Sequence, residues 1–329
     1  MEIGPSAASA RGVTGHLWTV ASLAERRLRP PASPPAERFA GVVMDPVTGE
    51  QPVTGLLFRP AGARRIAVLI HGLGGSPESA YMSLLASSAH RSGLATLRLS
   101  LRGADGSGPD FYHGGLTADL HAALADPALS GFDEIVLAGL SLGGHVALRY
   151  ATEDGDPRLR AVAAVSSPLD LAAGARAIDR PLMAPYRRYL LRGLRAHGER
   201  AIRGGILAVS PQRLRRVRTL REWDTLTVAP RFGFADAADY YARASVGSRV
   251  GELRCAALLL SCAADPMIPP EAVHPASLAG EPASSLTVHW ARRGGHLAFP
   301  PDLDLGAGGE PGWAGQISAW LAGHTDADR

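Results

Sequence analysis

The chain has no lysine at all: each of its 34 basic side chains is an arginine, so every fixed positive charge is a guanidinium. Cysteine is almost absent too, with only Cys255 and Cys262. They stand seven residues apart around the apolar "ALLL", which puts them on opposite faces of one strand, and they are expected to be buried free thiols. No Cys/His pairs occur at zinc spacing and no dense carboxylate cluster occurs, so no metal and no other cofactor is expected. No apolar run approaches the ~20 residues that span a bilayer, and "MEIGPSAASARG" lacks the basic start and apolar core of a secretory signal. A cytoplasmic chain without a transmembrane segment is the expectation. Aromatics make up only 6% and no nucleic-acid motif accompanies the basic residues, so no nucleic-acid partner is expected. Hydrophobic residues at 46% against 20% charged exclude wholesale disorder.

Charge is present but unevenly spread. Residues 176 to 221 hold thirteen arginines against Asp179 and Glu199, a local excess of eleven positive charges in a chain of net charge +3, so the remainder carries minus eight. Such a segment is either a solvated arginine-rich face or a field that attracts anions, an anionic membrane surface among them. The apolar positions Leu182, Tyr186, Tyr189, Leu190 and Leu194 recur there at helical spacing, which predicts one apolar and one cationic face.

Residues 1 to 40 read as an irregular arm ending in the proline-rich "RPPASPPAERF". From residue 42 strand and helix patterns alternate: strands at 42–44, 53–58, 66–70 and 95–99, helices near 79–91 and 116–126, then strands before residue 141 and at 161–165. That alternation predicts βαβ units and a mostly parallel sheet flanked by helices. It stops near residue 170, gives way to helical patterns until about 250, and resumes at 257–262, 286–290 and a closing helix near 313–322. The expected organisation is one α/β domain over 41–325 with a helical cap inserted at about 171–250.

Within that frame "VLAGLSLGGHVALRY" runs from a buried strand through a glycine-crowded turn into a helix, with Ser141 at the tip. A serine hydroxyl is a weak nucleophile at neutral pH and needs a base, an acid to orient the base, and donors for an oxyanion. "HGLGG" after strand 66–70 can aim the Leu73 amide at the site, and the Leu142 amide follows the serine directly. Asp265 in "AADPMIP" follows strand 257–262, and His296 in "ARRGGHLAF" follows strand 286–290. Ser141, Asp265 and His296 stand in the chain order of a hydrolase triad. Asp170 is the runner-up acid. His71 reads as a brace for the oxyanion turn, and His113 and His145 as structural or pocket-lining groups.

These strings, with "GHLWT", "LRGADGSG", "FYHGGLTADL", "YRRYLL" and "REWDTLTVAPRFGFADAADYY", resemble the YheT-like branch of the α/β-hydrolase superfamily from residue 15 to about 300. The resemblance implies an α/β-hydrolase fold and a serine hydrolase of short- to medium-chain or lipid-like carboxylic esters, with Ser141, Asp265 and His296 as its triad. The chain departs from many relatives at Ala264, where a second acidic residue is common, and at His145, where asparagine is common. Trp223 and Asp224 match the cap motif and read as pins between cap and sheet. Transfer of the acyl group to an alcohol is the alternative activity, and a non-catalytic lipid-binding protein the alternative from another class.

Overall fold

In the computed structural model, residues 11–273 and 285–325 are described. Short runs of β-formers build one sheet of eight strands: β1 (Glu37–Asp45), β2 (Gly49–Phe58), β3 (Arg65–Ile70), β4 (Ala95–Leu99), β5 (Glu134–Leu140), β6 (Leu159–Val165), β7 (Ala256–Cys262) and β8 (Leu286–Ala291). Their order across the sheet is β1-β2-β4-β3-β5-β6-β7-β8. β2 runs antiparallel to β1 and β4, and every other pairing is parallel.

The central strands are buried on both faces, which is why they read as continuous apolar runs. Successive β3 side chains go to opposite layers: Ile66, Val68 and Ile70 to one core, Ala67 and Leu69 to the other. The second core is closed by α2 (Ala80–Arg91) and α12 (Trp313–Ala322), and α1 (Arg11–Leu28) lies against α2. The first is closed by α3 (Ala118–Ala125) and α4 (Leu142–Ala151).

Between β6 and β7 the alternation is interrupted by α5 (Leu171–Asp179), α6 (Ala184–Arg203), α7 (Pro211–Arg216), α8 (Leu220–Trp223), a π-helical turn (Asp224–Val228), α9 (Ala229–Phe232) and α10 (Ala237–Ala244). A short α11 (Pro270–Val273) follows β7. Buried charges tie this helical insertion to the sheet. Arg231 of α9 bonds Asp110 at 2.6 Å and Asp45 of β1 at 2.9 Å, while Arg102 pairs with Asp45, Asp110 and Asp119. Removing one member would strand a buried charge, a loss of about 3–5 kcal/mol.

The N-terminal segment differs from its expectation. Instead of an irregular arm, residues 11–28 form α1, and β1 begins at Glu37. Apolar residues do recur at helical spacing there, at Val13, Leu17, Val20 and Leu23, but that stripe is 44–70% exposed and the buried face is Gly15 and Thr19. A second difference lies in α6 and the turn before it. Leu190 and Leu194 are buried as expected, but Leu182 is 88% and Tyr189 57% exposed.

Candidate active site

Ser141 occupies the single residue between β5 and α4, with φ +53° and ψ −122°. A side chain in that region costs about 1–3 kcal/mol and persists only where neighbours over-determine it. They do: the Ser141 amide donates to the Val165 carbonyl at 2.8 Å, and the Ser141 carbonyl accepts from the amides of Gly144 and His145. Gly143 is required here, because a Cβ would stand 2.3 Å from the Ile70 carbonyl oxygen and 2.4 Å from that of His71. The sharp turn thus presses the first turn of α4 onto the end of β3.

Asp265 sits in a turn closed by its own amide on Cys262 and is 5% exposed. One carboxylate oxygen accepts from the amides of Met267 and Ile268 at 2.8 and 3.0 Å, and the other lies 2.9 Å from Nδ1 of His296. With Nδ1–H committed to the carboxylate, the neutral imidazole carries its lone pair on Nε2. His296 and Ser141 line one cavity of about 950 Å³, together with Leu73 and Leu142. Asp170, the runner-up acid, instead caps α5 by accepting from the Ala173 amide at 3.0 Å.

The turn after β3 is held on several sides. His71 is fully buried, accepts from the Leu101 amide through Nε2 at 3.1 Å, and donates from Nδ1 to the Gly72 carbonyl at 2.8 Å. Burial pushes its pKa down to about 4, in keeping with that neutral tautomer. The Gly74 amide donates to the Tyr112 hydroxyl at 2.8 Å. Among the described residues no group accepts a bond from the amides of Leu73 or Leu142. His113 is packed against the rings of Phe232, Phe234 and Tyr240, and His145 bridges the carbonyls of Pro168 and Ala244 at 2.7 and 3.0 Å. Both sit where sheet and cap meet.

The reading of the sequence missed α1 as part of this site. Thr19 accepts from the His296 amide at 2.9 Å and donates to the Gly15 carbonyl at 2.8 Å, and Arg26 donates to the Leu297 carbonyl at 3.0 Å. The approach is close: a Cβ on Gly295 would lie 2.3 Å from the Gly15 carbonyl oxygen and 2.5 Å from the Thr19 hydroxyl. At the other side the Leu297 amide donates to Ser166 at 3.1 Å. His16 reaches the cap through Tyr186, 3.0 Å away. The signal available in the sequence was "GHLWT", matched to the family but given no role. Tyr112 was missed because its neighbour His113 carried the chemistry-bearing side chain of "FYHGG".

Comparison with known proteins bears on this architecture. The profile of the alpha/beta hydrolase family matches residues 67–304. The chain is 32% identical over 241 residues to the putative esterase YheT of Escherichia coli, a match covering 70% of this chain and 69% of that protein. It is 28% identical over 221 residues to a monoacylglycerol lipase of Saccharomyces cerevisiae, covering 63% of this chain and 49% of the yeast protein, so it spans about half of that relative's length. Among solved structures, that of 2,6-dihydroxy-pseudo-oxynicotine hydrolase aligns with TM-score 0.56 at 17% identity, covering 93% of this chain and 71% of that one, a likeness of fold. A mostly parallel eight-stranded sheet, a helical insertion after β6, a serine at the β5–α4 turn and a YheT relative at this identity place the chain in the α/β-hydrolase family, within its YheT-like branch.

Proposed function

We propose that the chain is a serine hydrolase of carboxylic esters that works through an acyl-enzyme. Ser141 Oγ attacks the acyl carbon while His296 takes its proton, and Asp265 holds the imidazole and stabilises its charge. The oxyanion rests on the amides of Leu73 and Leu142, whose hydrogens no described residue accepts. His296 then gives its proton to the departing alkoxide, and an alcohol leaves. Water, deprotonated by His296, attacks the acyl carbon and releases the acid and Ser141.

The observation that carries this reading is the buried Asp265–His296 pair at 2.9 Å, opening onto the cavity that Ser141 lines. A cavity of about 950 Å³ with a largely apolar wall suits short- to medium-chain or lipid-like esters. Relatives named as an esterase and a monoacylglycerol lipase support that class. No described helix is long and apolar enough to cross a membrane. Contact with an anionic lipid surface fits the rim of the cavity, where Val13, Leu23, Leu182 and Tyr189 are exposed, and α6, which carries Tyr189, also exposes Arg188 and Arg192.

Hydrolysis of p-nitrophenyl esters of graded chain length tests the reading. Ser141→Ala is expected to lower kcat/KM by at least ~10³-fold in a folded protein; wild-type turnover in that variant would overturn it. Added ethanol separates water from alcohol as the second acceptor, since ethyl ester in place of free acid identifies acyl transfer.

A further inference from the structure

The cavity has two unlike ends. Val13, Leu23 and Leu182 line its open end and are 44–88% exposed, whereas Trp223, Val228, Tyr240 and Tyr241 line an end under the cap and are each at most 6% exposed. Asp224, half-buried and next to Trp223 in the chain, lines the same cavity at the start of the π-helical turn. Its carboxylate accepts from the Tyr241 hydroxyl at 2.6 Å, and its other oxygen accepts no bond among the described residues.

No arginine or histidine pairs with Asp224 among the described residues, in contrast to Asp45 and Asp110, which both share Arg102 and Arg231. A carboxyl that served only to pin the cap would be expected to spend both oxygens on partners, whereas Asp224 is half-buried and keeps one oxygen open. The apolar surroundings raise its pKa to about 7, with the Asp179 carboxylate adding to the rise. The backbone adds a second sign. π-Turns are rare and concentrate at functional sites, and here Thr227 donates to the Trp223 carbonyl at 2.8 Å within the turn.

We propose that Asp224, with Tyr241, forms a polar subsite at the closed end of the cavity that binds a hydroxyl group at the far end of one arm of the ester substrate. This rests on the ester-hydrolase reading above. A hydroxyl donates to a carboxylate and accepts from a carboxylic acid, so it suits this group in either state. A plain alkyl terminus leaves the free oxygen unpaired, and sites built around a substrate hydroxyl discriminate strongly against analogues lacking it.

The test compares kcat/KM for p-nitrophenyl alkanoates with that for ω-hydroxyalkanoates of equal length in the wild type, Asp224→Asn and Asp224→Leu. Past the length that reaches the subsite, the wild type is expected to favour the hydroxy ester at least tenfold. Asp224→Asn should keep that ratio within about threefold, and Asp224→Leu should abolish it. A wild-type ratio near one at every length overturns the proposal, whether or not the variants fold. So does a ratio in Asp224→Leu equal to that of the wild type, or a preference for ω-amino over ω-hydroxy esters. If no ester is turned over, the hydrolase reading fails by itself, and the subsite is judged on wild-type thermal shifts with 1-alkanols and matched α,ω-diols. A larger shift with the diols supports it, and equal shifts overturn it.

Discussion

Thr19 lies 277 residues from His296 in sequence, yet its hydroxyl is the acceptor for the His296 amide. Thr19→Val keeps the shape of the side chain and removes both of its hydrogen bonds, leaving the buried His296 amide without a partner. A buried donor left unpaired costs about 1–3 kcal/mol. If the loop relieves that cost by shifting, the imidazole leaves the position that its proposed role as base requires, and the same energy appears as a roughly 5- to 150-fold loss of kcat. KM should change little, because the cavity wall keeps its volume. Thr19→Ser, which retains the hydroxyl, should restore most of the rate. The assay is steady-state hydrolysis of a soluble short-chain ester, paired with the rate of fluorophosphonate labelling, which depends on the same base. Equal rates for the Val and Ser variants, or a Val variant with unaltered kcat, would refute the argument that α1 positions His296.

Three further outcomes follow from other parts of the structure. Asp265→Asn should lower kcat by about 10²–10⁴-fold by misorienting His296, whereas Asp170→Asn, which keeps a good cap on α5, should leave it within about twofold; the opposite ranking would move the acid to the loop after β6. Arg188→Glu with Arg192→Glu should raise KM for esters carried on anionic vesicles and spare soluble esters, an effect that added salt should imitate; Arg187 is left in place because it bonds the carbonyls of Ile178, Arg180 and Arg218. Acid should destabilise the fold between about pH 6.5 and 4, because burial holds His71 and His197 neutral down to about 4, and the unfolded chain takes up protons there that the folded chain does not. Asp224 opposes this, since its raised pKa contributes stability that is lost as pH rises towards 7. Melting temperatures at pH 7, 5.5 and 4.5 should therefore fall in that order, and a flat or rising series would contradict the histidine assignment.

What the sequence made legible is what local pattern and chain order encode. Buried parallel strands announce themselves as apolar runs, and a serine between such a run and a helix, with glycines fixed by close backbone approach, is a local feature. Asp265 and His296 are singled out by the sequence because each follows a predicted strand, where parallel sheets gather their sites, and the structure brings the two side chains to 2.9 Å. The role of α1 was not legible: its buried face is Gly15 and Thr19, residues chosen for closeness and a hydrogen bond rather than for burial of apolar area. Nor was the outward turn of Leu182 and Tyr189, since periodicity tells which residues share a face but not that the face borders a cavity mouth. Nor were the partners of Asp224, which the sequence reads as a pin: that its carboxylate takes the Tyr241 hydroxyl and, among the described residues, no cation is visible only in three dimensions.

The central claim is that Ser141 is the nucleophile, and mass spectrometry of the fluorophosphonate-treated protein tests it most directly. The account predicts one phosphonylated residue per chain, on the peptide carrying Ser141, formed slowly or not at all in Asp265→Asn. A label on another residue, or none on a folded chain that still hydrolyses esters, would contradict it.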